Sequence, residues 1–171
     1  MSLFWIIWSA AIILILIFGA VLLVGAPYVP TLPAQRLQAL ELLKLKPGQT
    51  LYELGSGDGS LLKEAAARGL KAVGYEINPI LVVISWIRTR RYGKSVKVRW
   101  GNFWKADLSQ ADGIFVFLLD RFMAQLDAKI QAEGKPGVKL VSHAFKIPGR
   151  KPDIKKNAML LYSYDSVARK P

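Results

Sequence analysis

The sequence predicts an α/β protein: a doubly wound, Rossmann-like parallel sheet preceded by one N-terminal transmembrane helix. After residue 50, short apolar runs of strand character alternate with helical stretches through short connections, the pattern of repeated βα units. The first run ends in a glycine turn, LGSGDGS, and residues 1–35 carry no charged side chain. With 171 residues the chain can bury one core and is too short for two ordinary domains.

The N-terminal stretch FWIIWSAAIILILIFGAVLLV is apolar over about the 20 residues that a membrane-spanning helix requires. We therefore assign residues 1–26 to a transmembrane anchor and residues 27–171 to one globular domain. A cleaved signal peptide is the competing interpretation, but no Lys or Arg precedes the run. All 24 Lys and Arg residues follow it, so the positive-inside rule predicts a single-pass protein with its N-terminus outside and its domain in the cytoplasm.

The chain is strongly basic, with a formal net charge of +12. Such a charge favours nucleic acid, anionic lipid or an acidic protein as a partner. For a membrane-anchored domain an anionic lipid surface is the simplest partner, and RTRRYGKSVKVR, residues 88–99, is the densest basic segment. The same segment can equally be a solvated helix end. The absence of cysteine excludes disulfides, thiolate metal sites and a cysteine nucleophile.

The domain begins with a proline-rich linker, PYVPTLPAQ, and an amphipathic helix. PAQRLQALELLKL places Leu37, Leu40 and Leu43 on one helical stripe, which Pro47 and Gly48 terminate. The strand TLYEL follows, and after it come the helix SLLKEAAARG and the strand KAVGYEI.

A second helix opens at Asn78 and Pro79 and runs to about Arg91. Its apolar stretch ILVVISWI, with Trp86, is interpreted as core, or as a helix that rests against a membrane. SVKVRW is a third strand, and the continuous apolar run GIFVFLL is expected of a central parallel strand covered on both faces. The helix DRFMAQLDAKIQAE and the strands PGVKLVSHAF and NAMLLYSY complete the domain, whose ligand is expected at the C-terminal strand ends.

The glycine turn is the first candidate binding site. Gly55, Gly57 and Gly59 allow a sharp turn and are expected to expose backbone N–H groups before the next helix. A dinucleotide-binding turn has the spacing G-x-G-x-x-G, which would require glycine where Ser60 stands. S-adenosylmethionine has no pyrophosphate and carries an ammonium group, so carboxylates near the turn favour it over a dinucleotide.

Acidic and amide side chains follow the strands in the order that this cofactor requires. Glu76 closes the second strand about 20 residues beyond the glycines, where a carboxylate can accept hydrogen bonds from both ribose hydroxyls. Asn102 and Phe103 follow the third strand, where an amide and an apolar ring can hold adenine. A plain loop is the alternative interpretation of this last pair.

Four stretches, PYVPTLPAQ, LYELGSGDGS, AVGYEINPILV and VSHAFKIPGRKPD, resemble in this order the seven-strand (class I) S-adenosylmethionine-dependent protein lysine methyltransferases. That family includes small archaeal enzymes and the mitochondrial enzymes that methylate adenine nucleotide translocase and the ATP synthase c-subunit. The resemblance covers residues 27–153, and mitochondrial members also carry an N-terminal hydrophobic segment. It implies methyl transfer from S-adenosylmethionine to the lysine side chain of a protein.

The resemblance also implies roles for individual residues. Tyr28, Asp120 and His143 are expected on the catalytic side, with residues 143–145 flanking the channel for the lysine. The residues expected to bind or close over the cofactor are Thr31, Glu53, Gly55, Ser56, Gly57, Asp58, Gly59, Glu76, Asn102 and Phe103.

Three positions depart from the family pattern, and all are expected near the substrate. Relatives often have Pro at the position of Asp120, an acidic residue at Ala144 and Trp at Arg150. Asp120 can orient the incoming lysine or be the N-cap of the following helix, which we favour. Because the tail after Asp153 is short, the sequence does not decide whether the seventh strand is complete.

His143 is the only histidine; it can line the channel, although a histidine at a strand end is more often satisfied by a local hydrogen bond. With no cysteine and no second histidine, no metal is expected. The favoured function is a membrane-anchored lysine methyltransferase acting on a membrane or membrane-associated protein. The alternatives are a catalytically silent cofactor-binding module at the membrane, or a methyltransferase acting on RNA or a small molecule, with nucleic acid the less favoured partner.

Overall fold

A computed structural model of the chain describes residues 3–24 and 29–165, with side chains in the first helix described at residues 3–9, 11–13 and 15. The predicted domain boundary between residues 26 and 27 lies outside the described residues. The helices are α1 (Leu3–Val24), α2 (Pro33–Leu43), α3 (Ser60–Ala67), α4 (Pro79–Thr89) and α5 (Met123–Glu133). The strands are β1 (Thr50–Leu54), β2 (Lys71–Glu76), β3 (Val96–Trp100), β4 (Gly113–Val116), β5 (Val138–His143), β6 (Ile154–Lys156) and β7 (Met159–Tyr164).

The strands form one sheet in the order β3-β2-β1-β4-β5-β7-β6. Strands β1 to β5 are parallel, and β7 is antiparallel to both β5 and β6. This confirms the predicted Rossmann-like α/β sheet. Winding reverses between the neighbours β1 and β4, so the crevice at their C-terminal ends is where such a fold binds its ligand.

The core fills both faces of the sheet. On one face, Met123, Leu126 and Ile130 of α5 pack against β4, β5 and β7. On the other face, α2 and α3 cover Leu51 of β1 and Phe115 of β4. Leu40 and Leu43 of the predicted stripe of α2 are buried, whereas Leu37 is 43% exposed.

The C-terminal region is more complete than the short tail led us to expect. The three-residue strand β6 precedes β7 and closes the sheet as its seventh strand. Its residues are all exposed, and the composition IKK does not resemble a buried strand. The structure therefore resolves the open question of the seventh strand in favour of a full sheet.

Helix α4 departs most from its predicted role. Its buried residues are Leu81, Ser85 and Thr89, while Trp86 is 63% exposed. The interpretation of its apolar stretch as core is therefore wrong for Trp86. The buried positions are spaced by four residues, and two of them are small and polar because the face of α4 that packs on the domain lies close to α3 and its glycine turn.

The predicted transmembrane helix has no support from the structure. Among the residues whose placement is described, no helix is long and apolar enough to cross a membrane.

Candidate functional site

The glycine turn links β1 to α3 and is held by the chain's own hydrogen bonds. Gly55, Gly57 and Gly59 have φ values of +87°, +51° and +74°, which glycine adopts readily. The N–H groups of Gly55 and Ser56 both donate to the Tyr75 carbonyl oxygen, at 2.9 Å each. The expectation that the turn exposes these N–H groups is therefore wrong. These two N–H groups are thus not available to a pyrophosphate.

Glu76 joins the turn to the start of α4 through two hydrogen bonds. Its carboxylate accepts from the N–H of Gly57 and from the N–H of Asn78, both at 2.8 Å, and its side chain is buried. Asn78 in turn caps α4 by accepting from the Ile80 N–H at 2.9 Å. A carboxylate has about four acceptor positions, so two bonds to the backbone leave capacity for ligand hydroxyls.

Glu53 is the buried carboxylate that lacks such partners. It is 5% exposed, and its Oε2 atom has no hydrogen-bond partner in the part of the chain that the structure describes. Burial, followed by the nearby carboxylates of Asp58 and Glu76, raises the pKa of Glu53 well above its ordinary value. In the β1–β4 register Glu53 lies beside Phe115, so it sits at the point where winding reverses. This carboxylate fits a cationic ligand group that can donate hydrogen bonds.

Asp58 is engaged by the chain itself. Its side chain accepts from the Ser60 N–H at 3.0 Å and forms an ion pair with Arg88, whose guanidinium also donates to the Asp58 carbonyl oxygen at 3.0 Å. Burial alone would raise the pKa of Asp58, but the hydrogen bonds from Arg88 and Ser60 outweigh it and lower the pKa. These contacts fix α3 to α4. Nothing in the sequence pattern pointed to Arg88 as the partner.

Gly59 fits closely against α4. A β-carbon at this position would lie 2.1 Å from the Ser85 hydroxyl oxygen and 2.9 Å from the Ser85 β-carbon. Glycine is therefore required at this position both by close packing against Ser85 and by the positive φ. Ser85 was missed by sequence reasoning because its contact depends on how α4 crosses the turn.

Asn102 and Phe103 follow β3 at the same edge of the sheet. The Asn102 side-chain oxygen accepts from the Trp104 N–H at 3.0 Å and so initiates the short 3₁₀ turn Phe103–Lys105. The rings of Phe103 and Trp104 lie 4.7 Å apart, and Trp104 lies 6.2 Å from Phe122. The result is a half-buried aromatic wall beside the strand ends. Its role toward adenine stays a prediction.

The segment before α2 is tied to the site through Arg36. Its guanidinium donates to Glu64 of α3 at 2.7 Å and to the Thr31 carbonyl oxygen. Thr31, expected to close over the cofactor, is thus held beside α3 by its backbone. Tyr28 lies outside the described residues, so its expected role is not tested. Arg36 was missed because only the folded chain brings α2 to α3.

His143 ends β5 at the same edge and on the same face as Glu53. It is 7% exposed, its Nδ1 atom has no hydrogen-bond partner among the described residues, and the Phe117 ring lies 4.4 Å away, edge to face. The favoured local hydrogen bond for this side chain is therefore wrong. Burial lowers the pKa of His143, so its imidazole is neutral at pH 7. Phe145 stacks 6.4 Å from Phe117, which gives this end of the site an apolar, aromatic lining.

Asp120, three residues after Phe117, and Ala144, between His143 and Phe145, are both exposed. Asp120 begins the 3₁₀ turn Asp120–Phe122, whose N-cap is Leu119 without a side-chain bond, and α5 is capped by Phe122. The favoured interpretation of Asp120 as an N-cap is wrong. Ala144 has φ +71°, a left-handed conformation that costs a non-glycine residue about 1–2 kcal/mol.

Arg150 does not lie on the substrate side. It donates to Asp127 of α5 at 2.8 Å and to the Ser163 carbonyl oxygen at 2.6 Å, and it stacks on Tyr164. Ser163 pairs with Lys139 at the beginning of β5, the end opposite to His143. This departure from the family pattern therefore concerns how α5 packs on β7.

The sequence matches a known methyltransferase family over most of the sheet. A profile of the ANTKMT methyltransferase domain matches residues 53–154, from Glu53 to the first residue of β6. The chain belongs to this family. A protein-lysine N-methyltransferase of Saccharolobus islandicus is 35% identical over 130 residues, covering 74% of this chain and 81% of that protein.

Vertebrate members of the family are longer. The ATP synthase c-subunit lysine N-methyltransferase of Xenopus laevis is 34% identical over 129 residues, and the match covers 74% of this chain and 57% of that protein. The adenine nucleotide translocase lysine N-methyltransferase of Mus musculus is 36% identical, with 56% of its length covered. This chain thus spans little more than half the length of these relatives.

Solved structures share the fold. An RNA methyltransferase from Salinibacter ruber, in complex with S-adenosyl-L-homocysteine, superimposes with a TM-score of 0.73 at 30% identity and covers 84% of this chain and 97% of its own. A SAM-dependent methyltransferase from Thiobacillus denitrificans, with the same ligand, has a TM-score of 0.58 at 19% identity and covers 72% of this chain and 54% of its own. The second likeness shows the fold alone.

Proposed function

We propose that the protein is an S-adenosylmethionine-dependent methyltransferase that methylates lysine side chains of a protein. The observation that carries the proposal is the buried, unpaired carboxylate of Glu53 beside the backbone-bound carboxylate of Glu76, at the reversal point of a methyltransferase sheet. An ammonium group satisfies the first carboxylate, and ribose hydroxyls satisfy the remaining acceptor positions of the second. Several similar proteins are named as lysine N-methyltransferases, which supports a lysine side chain as the methyl acceptor.

Each part of the cofactor has a residue suited to it. Glu53 would accept from the methionine ammonium, and Glu76 would accept from the ribose. Asn102 and Phe103 would flank the adenine. The glycine turn would let the cofactor approach the backbone, while Asp58 acts through its ion pair with Arg88. When bound, S-adenosylmethionine supplies a methyl group on a sulfonium, which is transferred by in-line displacement.

The residues at the end of β5 suit the acceptor. A lysine must be neutral to accept a methyl group, and an apolar pocket disfavours the charged form of an amine. Phe117, His143 and Phe145 provide such a lining, and the unpaired Nδ1 atom of a neutral imidazole can accept a hydrogen bond from the amine. The chain would thus align donor and acceptor and keep water away, which accounts for most of the rate gain in this kind of reaction. Asp120, exposed near this end, would receive the incoming ammonium.

The test is methyl incorporation. The full chain, purified in detergent, is incubated with radiolabelled S-adenosylmethionine and with membrane and soluble fractions of its host. We expect a labelled protein band that resists ribonuclease, disappears with Glu76→Gln and persists with Glu41→Gln, which alters an exposed carboxylate of α2. Cofactor binding without any label would overturn the proposal in favour of a silent binding module.

A methyltransferase acting on RNA is a second candidate. The likeness to the Salinibacter ruber RNA methyltransferase at 30% identity favours it, as does the net charge of +12. Label that is lost on ribonuclease treatment and resists protease would establish this function in place of the first.

The proposal includes a membrane tether formed by residues 1–26, with the N-terminus outside and the domain in the cytoplasm. Its support is the sequence: no charged side chain precedes Arg36, and the first turns of α1 carry exposed apolar side chains such as Trp5 and Trp8. A tether would raise the effective concentration of the site near membrane proteins, which makes these the favoured substrates. Retention of the protein in membranes after alkaline carbonate extraction, with the domain accessible to protease from the cytoplasmic side, is the expected result. Full release of the protein into the carbonate supernatant would contradict it.

A further inference from the structure

Helix α4 presents large apolar side chains outward. Val83, Trp86 and Ile87 are 55%, 63% and 51% exposed, and with Arg90 they follow the spacing i, i+3, i+4, i+7 that places residues on one face of a helix. Arg90 keeps helical dihedral angles as the C-cap of α4, so it continues this face. We call these four residues the α4 face. They lie on the side of α4 opposite to the buried residues Leu81, Ser85 and Thr89. An ordinary surface helix buries its large apolar side chains, whereas α4 exposes them.

Exposed cations continue the α4 face at its C-terminal end, with no carboxylate among them. Residues 79–100 contain no Asp or Glu. Of their six cations, Arg88 is paired with Asp58, whereas the remaining five are exposed. Arg90, Arg91 and Lys94 adjoin the C-terminal end of α4. The other two, Lys97 and Arg99, alternate along β3 with Val96 and Val98, which pack on the α3 side, so they project from the opposite face of the sheet. An apolar face continued by cations is the pattern of a helix that lies in the plane of an anionic membrane surface.

Trp100 extends the same surface toward the candidate active site. It ends β3, the edge strand of the sheet, and is 71% exposed. Its indole N–H donates to the Ile77 carbonyl oxygen at 3.1 Å, directly before the N-cap of α4. Tryptophan is favoured at the boundary of headgroups and acyl chains. Because α4 starts shortly after Glu76, a bilayer on this surface would lie along one side of the cofactor site.

We infer that the α4 face, with its exposed cations and Trp100, docks onto an anionic lipid bilayer. Charge complementarity favours an anionic bilayer over a second copy of the chain, because a second copy would place cations against cations. It also favours lipid over α1, because residues 1–35 offer no charge to the cations. Branched aliphatic side chains at the centre of the surface favour acyl chains over RNA, whose bases stack on aromatic rings. The inference does not depend on which acceptor is methylated.

The test uses the full chain and a single fluorophore. Because the sequence has no cysteine, Ile87→Cys creates one attachment point for an environment-sensitive label. The labelled protein is reconstituted in phosphatidylcholine vesicles with or without about 30% phosphatidylglycerol, so that residues 1–26 are treated identically in both. Lipids with a quencher on the acyl chain report insertion. Ala128→Cys, on exposed α5 at the opposite face of the sheet, is the matched control.

We expect blue-shifted, quenched fluorescence at position 87 in anionic vesicles, little change in neutral ones, and no quenching at position 128. Each cation at an anionic surface contributes about fivefold, so Arg90→Gln/Arg91→Gln/Lys94→Gln should lower the ratio of docked to undocked protein about 100-fold. The variant Lys46→Gln/Arg68→Gln/Lys71→Gln removes the same charge from exposed positions near the other end of β1 and β2 and should dock normally.

Four results would overturn the inference. The label could stay in water on anionic vesicles, or it could be quenched equally on neutral ones. It could be shielded without lipid in a manner that depends on protein concentration, which would indicate a second copy. It could also be shielded by added RNA and not by vesicles, which would identify a nucleic-acid surface.

Discussion

At the glycine turn, the N–H groups of Gly55, Ser56 and Gly57 all donate to groups of the chain itself, whereas at the end of β5 the Nδ1 atom of His143 is buried without a partner among the described residues. We call residues 55–60 with Glu76 the turn end, and Phe117 with residues 143–145 the β5 end. At the turn end, folding alone satisfies the backbone donors of Gly55, Ser56 and Gly57. The β5 end keeps an unpaired polar atom and one left-handed alanine, so a ligand has something left to satisfy there.

The largest effect is expected where the turn end packs on α4. Gly59→Ala should lower the free energy of unfolding by about 3–4 kcal/mol, because a β-carbon meets Ser85 and the positive φ is unfavourable for alanine. Urea denaturation measures this loss. Gly55→Ala is the matched control, since φ is also positive there but nothing lies within 4 Å, and it should cost about 1–2 kcal/mol. Equal losses for the two variants would refute the packing argument.

Glu76→Gln should disrupt cofactor binding more than any variant at the β5 end. The amide NH₂ would replace one acceptor and face the N–H of Gly57 or of Asn78, leaving a buried donor unpaired at a cost of about 1–3 kcal/mol. That cost lowers stability. Because the amide also offers the ribose hydroxyls one acceptor fewer than the carboxylate, the affinity for S-adenosylhomocysteine should fall about 10- to 100-fold by calorimetry. Glu41→Gln, whose exposed ion pair with Lys156 contributes little, should bind normally.

At the β5 end, the expected change is in turnover. His143→Phe should lower kcat about tenfold and leave the affinity for S-adenosylhomocysteine unchanged, because the proposed function assigns the imidazole to the acceptor and not to the cofactor. Steady-state kinetics with the labelled substrate, together with calorimetry, separate the two quantities. A weakened cofactor affinity would place His143 at the turn end of the site instead.

The same substitution has a signature in stability. The folded pKa of His143 lies below its ordinary value of 6.5, so the unfolded chain binds the extra proton first as pH falls. The free energy of unfolding should therefore decrease as pH drops below 6.5 toward the folded pKa. Since the chain has a single histidine, His143→Phe should remove that part of the decrease. An unchanged pH profile of unfolding would contradict the burial of a neutral imidazole.

The smallest effect is expected at Ala144. Ala144→Gly should raise the free energy of unfolding by about 1 kcal/mol, because glycine adopts the φ of +71° without the steric cost. Thermal denaturation detects a change of this size. A loss of stability on this substitution would mean that the left-handed conformation at the β5 end is not strained.

The turn end could be predicted well from the sequence because it is local. The spacing of the three glycines and the carboxylate that closes β2 lie within one βα unit and the strand after it, and the fold brings them together as expected. What the sequence could not indicate is which groups use the N–H donors. The Tyr75 carbonyl oxygen and the Glu76 carboxylate accept from them, so under the proposed function the cofactor would be bound by carboxylates near the turn and not by these donors.

Long-range contacts account for most of the errors. Arg150 was expected near the substrate, but it donates to Asp127 on α5. Trp86 was interpreted as core from composition, yet Ser85 and Thr89 occupy the buried side of α4. His143 was expected to find a local partner, and its neighbour is instead the Phe117 ring, which follows another strand. For Arg150 and His143 the deciding partner lies on an element that periodicity does not connect to the residue, and for Trp86 the packing of α4 on α3 decides which side of the helix is buried.

Glu53 lies near the end of β1, just before the turn end: its Oε2 atom is buried without a partner among the described residues, and its register partner is Phe115 of β4. Its folded pKa is raised, so stability from this group is full below its ordinary pKa of 4.5 and is lost as pH rises through the folded value. Glu53→Gln should accordingly stabilise the ligand-free protein at neutral pH. An ammonium group bound beside Glu53 would stabilise the ionised carboxylate and so lower its pKa. Binding should therefore release protons.

Calorimetric titration with S-adenosylhomocysteine at several pH values from 4.5 upward, repeated at each pH in buffers of different ionisation enthalpy, tests this most directly. We predict net proton release for the unaltered protein and for Glu41→Gln. For Glu53→Gln we predict no such release and an affinity about 100-fold lower, consistent with the loss of a charge-assisted bond. The same affinity and the same proton count in Glu53→Gln would show that this carboxylate does not receive the cofactor.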